Sequence, residues 1–484
     1  MVAAPRRGEG PTVPRRGVPA ATALPAFDAA LLRRHDRPGP RYTSYPTAPQ
    51  FSADFGATHL RAFAGQVRGA GRRLSLYVHV PFCLSPCFYC GCNRVITRDT
   101  AKVSVYAERL SREVALVSEL FDPATEVIQL HIGGGTPNLL AGDLLARLVG
   151  DLRRAFALSD SSERDFSIEL DPRSVPAGYP GTLASLGFNR ASLGVQDFDD
   201  DVQRAVNRVQ GVEETRRVID ACRAAGFRSI NVDLIYGLPG QTPERFRRTL
   251  RTVLESQPDR LAVYAYAHLP QLFKAQRQID AAALPGPDER LALLGLAIEE
   301  LTGAGYHYIG MDHFALPHDD LVRAQSTGGL QRNFMGYTTH ADTDLVGIGM
   351  SAISHVGESF SQNHRDLRTW SAAIDAGRLP TARGIGLSAD DLMRAAVISE
   401  LMCQGAIDVR GIERRYVVEF REYFADALAA LREHERDGLV EIGCERISVR
   451  PRGRLLLRSL AMCFDSYLPR AAGATAPAEY SKAV

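Results

Sequence analysis

The chain has 484 residues, which is long enough for one large domain and one or two smaller ones. Its apolar content of 45 % and charged content of 23 % are ordinary for a globular protein. The formal net charge of +1 argues against nucleic acid or an anionic membrane as a partner, and no apolar run approaches the roughly 20 residues of a spanning helix.

The N-terminal part of the chain is predicted to lack a secretory signal. Residues 1–26 combine proline, glycine and arginine without an apolar stretch, which predicts a disordered extension. Residues 27–73 are predicted to form an arm that begins with a short helix over Phe27–His35. Within it, Pro38–Thr47 (PGPRYTSYPT) contains three prolines and a glycine, which preclude regular structure. This segment either packs on the surface of the next domain or contributes Arg41 and its tyrosines to a site for an anionic, aromatic ligand.

A group of four cysteines follows the first predicted strand. Cys83, Cys87 and Cys90 have the spacing C-x3-C-x2-C, and Cys92 lies two residues further on. Three thiolates at this spacing can wrap one face of a 4Fe–4S cube and leave one iron open to bind a substrate. The alternatives are a zinc half-site or a redox dithiol. Because zinc would need a second pair of ligands and none lies nearby, we predict a cluster.

Short apolar runs alternate with amphipathic helical segments between residues 74 and 383. Six such units predict an α/β fold with a parallel sheet, either a partial (β/α)6 barrel or an open, doubly wound sheet. In both folds ligands gather at the carboxyl ends of the strands, where the cysteine loop also lies. The predicted strands are Leu74–Val80, Val127–Ile132, Phe166–Leu170, Arg190–Val195, Ser229–Tyr236 and Leu261–Ala267.

Polar groups occur at the ends of these apolar strands. Burial disfavours such polar or ionisable side chains unless they are paired, so five successive strand ends that carry them together predict one shared polar site. These ends are His131–Pro137, Glu169–Pro172, Gly194–Phe198, Asn231–Gly240 and Tyr264–His268. The second strand ends in the glycine triplet Gly133–Gly135, whose backbone N–H groups we expect to face a ligand carboxylate. The small-residue segment Gly347–Ser354 is predicted to be a strand or turn that lines the same cavity.

The remaining segments are predicted with less periodicity. Gly310–Phe314 and Gln331–Tyr337 are predicted to be loops. Residues 384–470 are predicted to form a small, mostly helical domain with a hairpin over Leu439–Val449. Helices followed by a hairpin are typical of a winged helix, but the arginines there are offset by glutamates, so we favour a lid over the barrel mouth. Residues 471–484 are predicted to be a disordered tail.

The cysteine motif with Tyr89 as its aromatic residue resembles the radical S-adenosylmethionine superfamily. Within that superfamily the chain is similar to the oxygen-independent coproporphyrinogen III oxidases over Pro38 to Tyr467. The resemblance is carried by GPRYTSYPTA, YVHVPFCLSPCFYCGCN, HIGGGTPN, IELDPR, LGVQDF, VNRVQ, NVDLIYGLPGQT, YAHLP, GMDHFALP, RNFMGYTT, GIGMSAIS and MCFDSYL. The arm and the cysteine after the third ligand are its most specific parts.

The resemblance implies a 4Fe–4S cluster on Cys83, Cys87 and Cys90, with Cys92 as a fourth cysteine that is not a ligand. It also implies two molecules of S-adenosylmethionine. The expected contacts are Tyr77, Gly134, Glu169 and Ile353 for the cluster-bound molecule, and Tyr89, Gly135, Thr136, Gln196, Arg208, Asp233 and Ala267 for the second. Cys92, Tyr77 and Glu169 are the expected catalytic residues. Family members carry phenylalanine at the position of Tyr89, and either ring serves if this residue stacks on a ligand.

The implied reaction abstracts a β-hydrogen from each of two propionates of coproporphyrinogen III, releases carbon dioxide and forms two vinyl groups. It needs an electron donor and an acceptor that the sequence does not name. Arg41, Tyr42 and Arg332 are hypotheses for substrate contacts, since the substrate carries four propionates. We expect a cytoplasmic monomer without nucleic-acid or membrane partners, in keeping with eight cysteines that suggest a reducing compartment.

Three other functions remain open at this point. A haem chaperone or another porphyrin-modifying radical enzyme would share the scaffold, although the arm and Cys92 argue against both. A nucleic-acid-binding protein with a structural cluster would need a basic face that this composition does not supply.

Overall fold

The computed structural model describes residues 24–468, so the predicted tail at 471–484 and nearly all of the predicted extension at 1–26 lie outside the described residues. The described chain forms two compact units. The first, here called the barrel unit, contains residues 50–300 and 342–386. The second, here called the arm unit, contains residues 24–49, 301–341 and 387–468.

The barrel unit is built on a parallel sheet whose six strands coincide with the six predicted ones. They pair in the order in which they occur in the chain, from β1 to β6. A doubly wound sheet would reverse its strand order at a switch point, so the sequential order identifies a partial (β/α)6 barrel. The strands are β1 (Arg73–Val80), β2 (Glu126–Gly134), β3 (Asp165–Leu170), β4 (Arg190–Gln196), β5 (Ser229–Tyr236) and β6 (Arg260–Ala265).

Helices follow the strands because apolar residues recur at helical spacing between them. The helix Thr100–Ser118, which follows β1, shows this spacing. Its buried residues include Val103, Ala107, Leu110, Val114 and Val117. The helices of this part of the chain are Ala57–Val67, Thr100–Ser118, Gly142–Ala155, Tyr179–Ser185, Asp200–Ala205, Val212–Ala224, Pro243–Glu255, Pro287–Gly303 and Leu367–Asp375. Short strands also occur at Phe82–Cys83, Val95–Ile96 and Ala157–Leu158.

A late segment of the chain extends the sheet on the other side of β1. Strand β7 (Thr343–Ile348) runs parallel to β1, with Arg73 opposite Thr343 and Val78 opposite Ile348. Three antiparallel strands then continue the sheet: β8 (Ile353–Val356), β9 (Ser359–Asn363) and β10 (Thr381–Gly386). The predicted small-residue segment is therefore the end of β7, a turn, and the start of β8.

A buried carboxylate connects this late segment to the helix Thr100–Ser118. Glu113 is fully buried and accepts hydrogen bonds from the backbone N–H of Gly349 at 2.8 Å, Asn363 Nδ2 at 2.7 Å and Trp370 Nε1 at 3.0 Å. Burial raises the pKa of Glu113 to about 8, against these three donors, which favour the charged form. The network joins the helix Thr100–Ser118 to a segment of the chain more than 230 residues later.

We expect Trp370→Phe to lower the free energy of unfolding by about 2 kcal/mol, since it removes a hydrogen bond to a buried ionisable group. The phenyl ring keeps most of the apolar contact with Tyr106, whose ring centroid lies 4.6 Å from that of Trp370. Urea unfolding of the metal-free protein measures the difference. An unchanged unfolding midpoint would show that the indole N–H contributes nothing to the stability of this network.

The arm unit contains helices and short strand pairs. Two predicted loops are in fact hairpins: His307–Gly310 pairs with His313–Ala315, and Gln331–Asn333 pairs with Gly336–Thr338. The prediction of irregular structure failed there because strands of three or four residues are too short to show periodicity. The helices are Ala29–His35, Asp320–Thr327, Ala389–Gln404, Val409–Tyr416, Phe420–Tyr423, Ala425–Arg436 and Leu457–Met462.

The C-terminal part of the arm unit contains the predicted hairpin. Val440–Ile442 and Arg446–Val449 are antiparallel, and Ala406–Asp408 joins them in a three-stranded sheet. After this sheet the 3-10 turn Pro451–Leu456 leads into the short α-helix Leu457–Met462. Among the described residues, no helix is long and apolar enough to cross a membrane.

Candidate active site

A cavity of about 390 Å³ opens at the carboxyl ends of β1 to β5 in the barrel unit. Its walls come from the cysteine loop after β1 and from the segments that follow β2, β3 and β4. The lining residues are Cys83, Leu84, Ser85, Cys87, Tyr89, Cys90, Cys92, Arg94, Gly134, Gly135, Thr136, Pro137, Glu169, Leu170, Asp171, Arg173, Ser174, Ser192, Gly194, Gln196, Arg208 and Asp233.

The cysteine loop is closed at its base by a short parallel ladder, in which Phe82 pairs with Val95 and Cys83 with Ile96. Arg94 reaches back into the loop, where its guanidinium donates to the carbonyl oxygens of Cys90 at 2.9 Å and Cys87 at 3.1 Å. These contacts hold the turn that carries three thiols in a fixed shape. All three thiols are free and line the cavity.

The sulfur atoms have hydrogen-bond donors suited to thiolates. Thr136 Oγ1 lies 3.5 Å from Cys83 Sγ, and the backbone N–H of Cys92 donates to Cys90 Sγ at 3.3 Å. The Cys92 thiol also hydrogen-bonds to Cys90, and this bond with Arg94 brings the pKa of Cys90 down to about 6. The same bond raises the pKa of Cys92, so the arrangement favours a thiolate at position 90 and a donor at position 92.

The thiols are not arranged for one metal ion. Within residues 24–468 no three histidine, cysteine or carboxylate side chains converge as a single ion requires. In a cluster each thiolate binds a different iron, which needs a wider spacing. Three free thiols on one cavity wall, each with a donor near its sulfur, fit such a group.

The glycine triplet lets β2 approach the cysteine loop. A Cβ on Gly135 would lie 2.7 Å from the carbonyl oxygens of Pro81 and Phe82, so no larger residue fits. The backbone N–H of Gly135 donates to Val80 O at 2.7 Å, and that of Gly134 to Glu169 Oε2 at 2.9 Å. The expectation that these two groups face a ligand carboxylate was wrong, because protein acceptors occupy both.

Glu169 stands at the centre of a hydrogen-bonded group at the ends of β2 and β3. Burial would raise its pKa, but hydrogen bonds from His131, 3.3 Å away, and Gly134 hold the pKa of this carboxyl below its usual range. Tyr77 lies behind this group, outside the cavity wall, with its ring stacked on His131 at 5.8 Å. Its hydroxyl lies 2.9 Å from His79 Nδ1.

A second charged group lies beside Cys87. Arg208 is buried and donates to Gly194 O at 2.5 Å, and its other nitrogen lies 3.4 Å from Asp171. Asp233 on β5 accepts hydrogen bonds from Ser192 at 3.1 Å and Asn231 at 2.8 Å, while burial raises its pKa to about 6.

Three predicted site residues do not line the cavity: Tyr77, Ala267 and Ile353. Ala267 is linked to the cysteine loop indirectly, since Gln276 Nε2 donates to Ala267 O at 3.1 Å and to Tyr89 O at 3.0 Å. Ile353 begins β8 and its main chain lies against Gly347. Each is therefore placed behind the wall.

Sequence reasoning missed several lining residues, among them Arg94, Arg173 and Ser192. Asp171 was noted only as part of a strand end. The run DPR after β3 was the available signal for Arg173, since a charged residue soon after a strand end faces the ligand edge of a parallel sheet.

The three hypothetical substrate contacts lie in the arm unit. Arg41 forms an ion pair with Asp312, and the buried Tyr42 donates its hydroxyl to Asp465 at 2.9 Å. Arg332 lies over the ring of Tyr337 at 4.8 Å. Its Nε and Nη1 atoms are buried without a hydrogen-bond partner among the residues that the structure describes.

Comparison with family models gives two matches. A model described as the radical SAM superfamily matches residues 77–253, and one described as the HemN C-terminal domain matches residues 387–456.

Whole-chain similarity extends over nearly the full length. A protein of Pseudomonas aeruginosa named oxygen-independent coproporphyrinogen III oxidase is 49 % identical over 443 residues, covering 92 % of this chain and 96 % of the relative. The protein of the same name from Escherichia coli K12 is 46 % identical over 443 residues, with 91 % and 96 % covered. The solved structure of coproporphyrinogen III oxidase (HemN) from E. coli, described as a radical SAM enzyme, superposes with a TM-score of 0.87 at 45 % identity, covering 92 % of this chain and 100 % of that one.

Proposed function

This chain belongs to the family of oxygen-independent coproporphyrinogen III oxidases, and from that membership we propose that it converts two propionate side chains of coproporphyrinogen III to vinyl groups. The product is protoporphyrinogen IX, an intermediate of haem biosynthesis. The protein is a radical SAM oxidoreductase with a 4Fe–4S cluster and S-adenosylmethionine as cofactors. The observation that carries the proposal is the cavity that unites three suitably spaced thiols with Glu169 and Arg208.

When bound and reduced, the cluster would supply the one electron that cleaves S-adenosylmethionine to methionine and a hydrogen-abstracting 5′-deoxyadenosyl radical. Cys83, Cys87 and Cys90 would hold it. The hydrogen bond to Cys90 raises the pKa of the Cys92 thiol, which supports its assignment as a catalytic residue that is not a ligand.

We propose that two S-adenosylmethionine molecules bind in this cavity, whose walls carry charges suited to their amino-acid groups. Glu169 offers a carboxylate to an ammonium group, and Arg208 offers a guanidinium to a carboxylate. The proposed contacts are Tyr77, Gly134, Glu169 and Ile353 for the first molecule, and Tyr89, Gly135, Thr136, Gln196, Arg208, Asp233 and Ala267 for the second. Tyr77, Ala267 and Ile353 would act from behind the wall, through main chain or a neighbouring side chain.

The experiment that tests the function is an anaerobic assay. The cluster is reconstituted, S-adenosylmethionine, a reductant and coproporphyrinogen III are added, and the vinyl products are followed by chromatography. We expect the divinyl product to accumulate. Product no higher than in a cluster-free control would refute the oxidase, and stoichiometric haem binding without decarboxylation would instead identify a haem chaperone.

We expect Cys92→Ala to keep most of the cluster absorbance and to lower turnover about tenfold, the effect of one hydrogen bond to a charged group. Alanine retains the backbone N–H that donates to Cys90 Sγ at 3.3 Å but lacks the thiol. Absorbance of the reconstituted protein and the rate of vinyl formation measure the two effects separately. Loss of the cluster in this variant would show that Cys92 is a ligand.

We also propose substrate contacts, redox partners and a cellular setting for the protein. Arg332, with two nitrogens that lack partners among the described residues, supports a contact with a substrate propionate, and Arg41 and Tyr42 are retained as substrate contacts. An electron donor and an acceptor are required by the reaction.

The free cysteines support a location in the reducing cytoplasm. We propose that the protein is a monomer without nucleic-acid partners. We also propose a domain division into 27–73, 74–383 and 384–470.

A further inference from the structure

Two arginines lie at the sulfur of Cys87. Arg208 Nη1 is 3.6 Å from Cys87 Sγ, and Arg173 Nη2 is 3.9 Å from the same atom. At the other two sulfurs the neighbours are a hydroxyl at Cys83 and, at Cys90, a backbone N–H, the Cys92 thiol and the single guanidinium of Arg94. Cys87 is thus placed in a field of positive charge.

The position of Arg173 is fixed by the turn on which it stands. It lies in the 3-10 turn Pro172–Ser174 after β3, and its backbone N–H donates to the capping Asp171 Oδ1 at 3.2 Å. Asp171 also accepts from Arg173 Nε at 2.9 Å and Nη2 at 2.6 Å, a bidentate pairing that orients the planar guanidinium. The Arg173 side chain is only 21 % exposed, so its approach to the sulfur is held by the fold.

The charge of this group does not cancel. Asp171 is shared by the two guanidinium groups, since Arg208 Nη1 also lies 3.4 Å from it. One carboxylate between two arginines leaves a net positive charge beside Cys87. The two nitrogens nearest the sulfur, Arg208 Nη1 and Arg173 Nη2, are buried or partly buried. Electrostatic interactions are stronger in such surroundings than in water.

We propose that Arg173 raises the reduction potential of the cluster by donating toward the Cys87 thiolate. This inference rests on the proposed function only in that it needs the cluster on Cys83, Cys87 and Cys90. Reduction adds one electron from a low-potential one-electron donor to the cluster, with no bond formed or broken. The reduced state carries more negative charge, so a cationic donor at a ligand sulfur stabilises it relative to the oxidised state.

Arg173 is therefore a positioning and tuning residue, and its role differs from that of Arg208. Arg208 donates to Gly194 O at 2.5 Å and is proposed to bind a cofactor carboxylate. Among residues 24–468, the Arg173 side chain hydrogen-bonds only to Asp171 and to the Cys87 sulfur. Its replacement thus isolates the effect of charge at the thiolate better than replacement of Arg208.

The test is a redox titration of the anaerobically reconstituted protein, followed by electron paramagnetic resonance, without S-adenosylmethionine or substrate. At the wild-type midpoint we expect Arg173→Gln to lower the ratio of reduced to oxidised cluster on the order of tenfold, which is 59 mV for a one-electron couple. Arg245→Gln is the matched control, since Arg245 pairs with Asp199 and Asp201 and should titrate as the wild type does.

An unchanged midpoint in R173Q with full cluster content would overturn the proposal. If R173Q does not retain the cluster, Arg173→Lys is titrated instead. Its shorter ammonium cannot keep both the Asp171 pairing and the approach to sulfur, so its midpoint should fall below the wild-type value, and equality would overturn the proposal. The titration needs no turnover, so a missing vinyl product and an unchanged midpoint are separate failures.

Discussion

Cys87→Ala should abolish both the cluster absorbance and the formation of vinyl product. Cys87 is the middle of the three thiols on the cavity wall, and alanine offers no ligand in its place. Activity should fall to the level of the protein without a cluster. Iron content and visible absorbance after anaerobic reconstitution measure the first effect, and chromatography of the porphyrin products measures the second.

The matched control for this variant is Cys444→Ala, which removes an exposed thiol of the arm unit. It should retain wild-type iron content and turnover. A Cys87→Ala protein with a full complement of iron would show that the ligand set is wrong.

Glu169→Gln should reduce cleavage of S-adenosylmethionine on the order of 100-fold, since two hydrogen bonds to a charged group are weakened together. The carboxylate accepts from Gly134 N at 2.9 Å and lies 3.3 Å from His131 Nε2. An amide in its place has only one acceptor atom and no charge for an ammonium group. Release of 5′-deoxyadenosine under reducing conditions measures the effect.

Glu300→Gln provides the comparison, because this glutamate pairs with Arg247 and Arg251 on a helix of the barrel unit. It should leave cleavage unchanged. Normal cleavage in Glu169→Gln would remove Glu169 from the set of cofactor contacts and from the proposed catalytic residues.

The sequence was sufficient to predict what depends on local pattern. The alternation of apolar runs and helical segments predicted all six strands of the barrel, and their sequential pairing follows from the preference for short, right-handed connections. The cysteine loop could be placed at the ligand edge of the sheet because it follows the first predicted strand, and ligands gather at the carboxyl ends of parallel strands. Four of the five polar strand ends, those with Gly134, Glu169, Gln196 and Asp233, contribute to one cavity, whereas no residue of Tyr264–His268 lines it.

What the sequence could not predict depends on contacts between distant segments. The backbone N–H groups of Gly134 and Gly135 were expected to be available to a ligand. Instead they donate to Glu169 on β3 and to Val80 on β1. No periodicity in the sequence indicates such pairing. Glu113 resembled an ordinary polar residue of an amphipathic helix, although its three partners lie more than two hundred residues away. The side-chain direction of Arg173 depends on a 3-10 turn that its sequence does not specify.

The pairing of β1 with β7 has a consequence for the order of events during synthesis. About 260 residues separate Val80 from Thr343, and at the ordinary rate of translation the ribosome needs roughly 13–52 s to add them. During that interval one edge of the first strand has no neighbour, beside a loop of reactive thiols. Until β7 emerges the nascent chain has an open strand edge, which is a hazard for aggregation. Glu113 likewise acquires its three buried partners only after Gly349, Asn363 and Trp370 have been synthesised.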